Sequence, residues 1–306
     1  MIAAITGGLG SIGTYLVRRL AREGHQAVAY DNLAKTGTRR NQELLSSLPG
    51  VDVEIRLADC LEVEDYGNVD VIFHLAGDCS APRSLENPVQ SFRLNAMMTC
   101  CVLEAARRQL IPVVYASSVR AYPNEAGQYT IYGLGKWVGD LLCTEYARTF
   151  GVPTISNRFG AVYGVYQYGT SESGWLSWFV RAVVGQLLLE LHGGGLQQRD
   201  CLHNEDAAEL LLRQAEHLIE TRNCEGKTYD VGGGQANFVS LMEVLEYLRD
   251  KHGYNLDHVV RTARRQADVE GRPATNAEVL RDFGWMPEID IWDGIDELVE
   301  AEERRQ

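Results

Sequence analysis

The chain has 306 residues, 45% hydrophobic and 23% charged, which allows a sizeable core in one large domain or two unequal ones. A formal net charge of −13 argues against general nucleic-acid binding, so an anionic ligand would need locally placed arginines or helix N-termini. Seven scattered cysteines without a CxxC pair suggest neither a zinc site nor a disulfide framework, and no metal is expected.

A reducing cytoplasm is the simplest compartment for such cysteines. The first residues run straight into a glycine loop without a basic region or cleavage site, so no targeting signal is expected. No apolar run approaches the roughly 18 residues needed to span a bilayer, so no membrane partner is expected.

Strand-like and helix-like segments alternate through the first half. Residues 2–5 form a short apolar run, and 12–22 carry helical periodicity after the glycines. Strands are predicted over 26–30, 52–57 and 69–75, a long helix over 92–109, and a strand over 111–117 that ends in serines. A helix over 133–150 and a strand over 153–158 follow. This rhythm implies an α/β fold, with parallel strands and crossover helices on both faces. Beyond Phe159 it breaks. Residues 160–174 are rich in Gly and Tyr, 175–189 read as an amphipathic helix, and Gly193-Gly194-Gly195 marks a turn. Helices are expected from Ser240 onward, with a charged terminal helix over 293–306 that frays.

Residues 6–13, Thr6-Gly7-Gly8-Leu9-Gly10-Ser11-Ile12-Gly13, lie between the first strand and the first helix. Gly7, Gly10 and Gly13 have GxxGxxG spacing, a variant of the dinucleotide fingerprint. Glycines there let the backbone approach a pyrophosphate that the helix N-terminus stabilises. Asp31 ends the next strand, where a carboxylate would bind the adenosine ribose diol and repel a 2′-phosphate. That favours NAD over NADP. Lys35, Arg39 and Arg40 follow and read as a solvated basic loop.

Tyr132 and Lys136 stand at i and i+4, on one face of the predicted helix. An ammonium beside a phenol favours the phenolate, giving a base for a hydroxyl proton.

Together these residues resemble the extended short-chain dehydrogenase/reductase family, especially its nucleotide-sugar epimerases and dehydratases. The resemblance runs through the 6–13 loop, Asp31-Asn32-Leu33, Asp59, His74-Leu75-Ala76-Gly77, Asn95, Ser117-Ser118, Tyr132 to Lys136, Arg158 with Tyr163-Gly164, and Arg199-Asp200. It implies a Rossmann-type doubly wound parallel sheet with a smaller, discontinuous C-terminal substrate domain. The expected division is 1–158 plus about 196–235 for NAD, and about 159–195 plus 236–306 for the nucleotide sugar.

The same resemblance implies roles. Tyr132 is the acid/base, Lys136 holds the nicotinamide ribose, and Ser118 hydrogen-bonds the reacting hydroxyl. Ser11, Ile12, Asn32, Asp59, Cys60, Leu75, Ala76, Gly77, Asn95 and Ser117 belong to the NAD site, with Asp59 and Cys60 flanking the adenine. Arg199 and Arg265 are the candidates for the substrate diphosphate, since a guanidinium fork suits phosphate oxygens.

Within the family the chain is most similar to the CDP-tyvelose 2-epimerase group, through Asp31-Asn32-Leu33 followed by Lys35-Thr36-Gly37 and Asn41, and through Gly174-Trp175-Leu176-Ser177-Trp178-Phe179. The implied reaction is transient oxidation of a sugar hydroxyl to a ketone and re-reduction on the opposite face. Dehydratases of this family usually carry Asp-Glu directly after the catalytic Ser/Thr; here Val119 and Arg120 stand there. Decarboxylation of a uronic acid sugar, UDP-sugar 4-epimerisation and a non-catalytic NAD sensor or scaffold are the competing readings. A homodimer paired through the 92–109 and 133–150 helices is expected. Ala161 and Pro123 depart from the family pattern, and only 13 residues separate Ser118 from Tyr132, shorter than is usual there.

Overall fold

Apolar runs with no polar alternation suit strands covered on both faces, and the first half supplies a series of them. The computed structural model describes residues 1–124, 127–263 and 271–306. Its strands are β1 (Ile2–Thr6), β2 (Gln26–Asp31), β3 (Val53–Leu57), β4 (Val71–His74), β5 (Val113–Ser118), β6 (Thr154–Phe159), β7 (Ala161–Tyr163), β8 (Leu189–His192), β9 (Gln198–His203), β10 (Lys227–Val231), β11 (Phe238–Ser240) and β12 (Val259–Thr262). Seven of them form one parallel sheet in the order β10-β6-β5-β4-β1-β2-β3. The chain order reverses beside β1, and such a switch point opens a ligand crevice at the carboxyl ends of the strands. Register aligns those ends: Thr6 pairs with Tyr30 and His74, and Ser118 pairs with Phe159.

The helices are α1 (Ser11–Arg22), α2 (Thr38–Ser47), α3 (Ala81–Glu86), α4 (Pro88–Phe92), α5 (Met98–Arg107), α6 (Ile131–Phe150), α7 (Trp175–Val184), α8 (Asn204–Thr221), α9 (Leu241–His252), α10 (Ala277–Phe283) and α11 (Ile291–Glu303). The helix expected over 92–109 is interrupted, because a π-turn at Arg93–Met97 joins α4 to α5. Such turns widen the helix by one residue and frequently lie at functional sites. The helix expected over 175–189 stops at Val184, before Gly185, and Leu189 opens β8, which pairs with β12.

The terminal helix ends at Glu303, three residues before the end of the expected span, and one face of it is packed. Ile291, Ile295, Leu298 and Val299 give α11 an apolar face that is buried in the core it shares with Phe179, Val180 and Val183 of α7. Sequence reading also passed over α8, whose Ala207, Leu211, Ala215 and Leu218 recur at helical spacing and are buried.

Two further small sheets, β11-β9-β7 and β12-β8, accompany a core made by Tyr163, α7, α9 and α11. Among the described residues no helix is long and apolar enough to cross a membrane.

Candidate active site

The glycine loop is shaped by what lies beneath it. Gly7 has φ +67°, and a Cβ there would come within 2.9 Å of Ala76 Cα, so the loop rests directly on the backbone that follows β4. The turn closes when Gly10 N–H donates to Gly7 O at 2.9 Å, and the first backbone bond of α1 is Thr14 N–H to Gly10 O at 2.9 Å. The N–H groups of Ser11, Ile12 and Gly13 thus fall in the first turn, where no intrahelical acceptor exists and an anion is favoured.

Asp31 ends β2 with 7% exposure; its carboxylate accepts Leu33 N–H at 2.8 Å and Leu9 N–H at 3.2 Å. Burial raises its pKa while those two N–H groups oppose the rise. Lys35 donates to Cys79 Sγ at 3.1 Å and the Arg40 guanidinium lies 5.3 Å from the Tyr168 ring centroid. The Lys35 charge also favours the ionised form of Asp31, so the end of β2 presents a carboxylate to a ribose. The cradle fits NAD.

The remaining predicted cofactor residues sit around this loop. Asn32 is exposed and accepts Ala34 N–H at 3.1 Å, and Asp59 accepts Leu61 N–H at 3.0 Å. The Cys60 thiol is buried in the core with Tyr66, and burial pushes its pKa up to about 12, so its side chain packs rather than reacts. Leu75 N–H donates to Thr6 O at 3.1 Å and Ala76 N–H to Thr6 Oγ1 at 3.3 Å, which fixes the strand-end loop against β1. Gly77 has φ +159°; a Cβ there would lie 2.9 Å from Asn95 Oδ1 and 3.3 Å from Lys136 Nζ. Gly77, Asn95 and Lys136 therefore converge. Asn95 lies on the π-turn and donates to Ser91 O at 2.9 Å, leaving its buried Oδ1 without a partner among the described residues.

Helix α6 carries the catalytic candidates. Thr130 caps it by accepting Gly133 N–H at 3.0 Å, so Tyr132 falls in the first turn and Lys136 one turn later. Tyr132 is 8% exposed, and Ser118 at the end of β5 lies near enough to draw its pKa down. Strand alternation sends Ser117 to the other face, where its buried Oγ has no partner among the described residues.

The lowered tyrosine pKa expected from Lys136 is not what the structure gives. Burial pushes the Tyr132 hydroxyl up to about 12; Ser118 and Arg120 pull it down, and Asp78 and Cys79 push it further up. Lys136 Nζ instead donates to Ala116 O at 2.8 Å and lies 4.9 Å from the Tyr115 ring centroid. Burial lowers its own pKa to about 8, opposed first by Asp140.

Asp140 escaped sequence reading, although Tyr132, Lys136 and Asp140 continue the same four-residue spacing. It is 2% exposed and accepts Ser156 Oγ and, at 2.7 Å, Arg158 Nε. The Arg158 guanidinium also lies 4.4 Å from the Tyr122 ring centroid, and Tyr122 O–H donates to Asp230 at 3.0 Å. His74, buried and held neutral with a pKa lowered to about 3, bridges Thr6 (2.8 Å) and Thr99 (3.1 Å) and stacks on Tyr115. Arg199 lies on β9, in the separate three-stranded sheet, and donates to Gln198 O at 2.8 Å. Arg265 lies outside the described residues.

A phenol and a lysine on one helical face, opposite a strand-end serine and beside a dinucleotide cradle, make this an NAD-binding enzyme of the extended short-chain dehydrogenase/reductase class. The chain belongs to the NAD dependent epimerase/dehydratase family, whose pattern matches residues 3–232. NAD is its cofactor.

Among its relatives, CDP-paratose 2-epimerase of Salmonella typhi is 27% identical, over 96% of this chain and 97% of that protein. The dTDP-glucose 4,6-dehydratase of Escherichia coli is 25% identical, over 96% and 91%. The fold is shared with UDP-glucuronic acid 4-epimerase of Bacillus cereus, solved with UDP-glucuronic acid and NAD, at a TM-score of 0.86 and 20% identity over the whole of both chains.

Proposed function

We propose that the protein epimerises a nucleotide-diphosphate sugar, with a CDP-sugar changed at carbon 2 as the first candidate. The observation that carries this reading is that Tyr132 stands buried beside Ser118, which draws its pKa down, with Val119 and Arg120 standing where a dehydratase would place its acid pair. Water elimination needs a proton donor for the leaving hydroxyl and a base for the adjacent carbon. A valine and an arginine supply neither. The 27% relative acting as a CDP-paratose 2-epimerase supports the choice of sugar nucleotide.

NAD supplies hydride acceptance and return. The chain's own residues manage the proton and the pose. Tyr132 rests as a phenol, since its pKa stands near 12, and so begins in the form that donates a proton to a carbonyl oxygen. Ser118 and Arg120 both favour the phenolate needed to take that proton back from a hydroxyl. Ser118 orients the same oxygen from the strand side. Lys136 presents an ammonium whose lower neighbour, Asp140, keeps it charged at neutral pH.

Arg199 is assigned to the substrate diphosphate. The seven-stranded body is assigned to NAD, and the body containing α7, α9 and α11 to the nucleotide sugar.

The test is a thermal-shift screen of nucleotide sugars with NAD, followed by product analysis. A CDP-sugar that stabilises the protein and returns a product of equal mass with one inverted centre supports the reading. A UDP-sugar inverted at carbon 4 moves the substrate. Loss of water or carbon dioxide overturns epimerisation.

We further assign the enzyme to the cytoplasm as a homodimer. Met97, Leu141 and Phe150, exposed by 50%, 47% and 46%, stand on or beside the helices expected to pair. Leu141→Glu is then expected to shift the sedimentation coefficient to that of a monomer.

A further inference from the structure

Two buried asparagines reach the glycine loop from opposite parts of the sequence. Asn41, on α2 and 1% exposed, donates through Nδ2 to Leu9 O at 2.9 Å and to Tyr166 O at 3.1 Å. Asn204, the first residue of α8 and 0% exposed, donates through Nδ2 to Ser11 Oγ at 2.5 Å. Ser11 opens α1, at the end where the cofactor cradle lies. The Oδ1 atoms of both asparagines have no hydrogen-bond partner among the described residues. A buried amide oxygen left unpaired bears its full desolvation cost, so packing alone is better served by an apolar side chain at either position.

We propose that Asn204 is a positioning residue for the cofactor: its amide occupies a lone pair of Ser11 Oγ and leaves the Ser11 proton to be donated to the pyrophosphate. A serine hydroxyl has one proton and two acceptor sites. When an amide N–H fills one acceptor site, the proton cannot also point back at that nitrogen. Ser11 donates to no other group recorded among the described residues. The N-terminus of α1 already favours an anion through its unpaired N–H groups, and the hydroxyl adds a side-chain donor there.

Asn41 acts alongside. By holding Leu9 O it fixes the carbonyl of the loop, while Asp31 holds the Leu9 N–H at 3.2 Å. The loop is thus fixed at residues 9 and 11 by side chains from α2 and α8. This inference depends on the cofactor alone and stands whichever sugar the enzyme accepts.

The experiment measures binding by the full chain without sugar substrate. Asn204→Val removes the donor and keeps a compact side chain. NAD and ADP are expected to bind about tenfold weaker, as for loss of one hydrogen bond to a charged group, while adenosine, which lacks the pyrophosphate, is unaffected. The melting temperature without NAD is expected to stay level or rise. Ser11→Ala should give at least that loss, and the double variant should be no weaker than Ser11→Ala, because both substitutions act through the one Ser11 hydroxyl. Asn204→Asp turns the hydrogen bond around and adds a negative charge, so it should weaken NAD further than Asn204→Val.

Unchanged NAD affinity in Asn204→Val, additive losses in the double variant, or an equal loss for adenosine would each overturn the proposal. Should Asn204→Val fail to fold, Ser11→Ala decides alone, and unchanged NAD and ADP affinities then overturn it.

Discussion

The seven-stranded body and the body built around α7, α9 and α11 handle their buried polar groups in different ways. Around the site in the first, Asp31, Asn41 and Lys136 bind backbone, but a network of polar side chains that bind one another stands beside them: His74 with Thr6 and Thr99, Asp140 with Ser156 and Arg158, Asn157 with Gln214. In the second, they bind the backbone of distant segments. Asp200 accepts Gly234 N–H at 2.9 Å and Ala274 N–H at 2.8 Å, and Asn237 donates to Ile289 O at 3.0 Å and accepts Ile291 N–H at 2.9 Å.

The cause is connectivity. A parallel sheet satisfies its own backbone through its ladder, so its buried polar side chains are free to arrange a site. A body gathered from separate stretches of chain has loops to satisfy, and single side chains do it. Chemistry should therefore be sensitive in the first body, and folding in the second.

Tyr132→Phe is the sharpest way to test the first half of that contrast. It is expected to lower turnover by roughly 10²- to 10⁴-fold, as for loss of a general acid/base, with NAD affinity and melting temperature nearly unchanged. Turnover retained in full would remove Tyr132 from the chemistry and return the non-catalytic sensor as a reading.

Asp200→Ala addresses the second half. It leaves two backbone N–H groups without their acceptor, a loss of roughly 2–5 kcal/mol. Proteolysis should then cut near residues 232–234 and 271–276 first, with NAD binding retained. Simultaneous loss of NAD binding would show that the two bodies unfold as one.

Lys136→Met is expected to act in the opposite sense on stability. The folded-state pKa of Lys136 is about 8 against an ordinary 10.5, so the unfolded chain holds more protons between those values. Stability from this group therefore rises as pH increases from about 8 to 10.5, and below 8 the buried ammonium is a burden. Lys136→Met should raise stability at pH 7 by at most about 3 kcal/mol and flatten that rise, while weakening NAD binding. Denaturant melts of both proteins across pH 7–10.5 measure it. An unstabilised variant with an unchanged slope would place the ammonium in a wetter setting than its 6% exposure indicates.

Much of the fold and of the NAD cradle was legible in advance because the signals are local. The GxxGxxG loop, Asp31 at the end of the next strand, and Tyr132 four residues before Lys136 each lie within one or two adjoining elements, where spacing alone sets the geometry. Asp140 was legible by the same spacing and was overlooked. The interruption of α4 and α5 by a π-turn was not legible, nor was the end of α7 at Val184, since apolar periodicity continues through both.

Other features belong to the tertiary structure alone. Whether Tyr132 sits above or below its ordinary pKa depends on how much water reaches it, and burial there outweighed the pull of Ser118 and Arg120. The Asn204–Ser11 bond joins residues 193 apart, and no local pattern announces it. Nor does the packing of α11, whose charged sequence reads as a loose tail until α7 supplies the apolar surface that buries Ile295 and Leu298. The sequence by itself determined the parallel sheet, the dinucleotide loop and the candidates for the reacting side chains, because period and spacing act along the chain. Only the tertiary structure decided their protonation and the residues that hold them, because burial and long-range partners arise when distant segments meet.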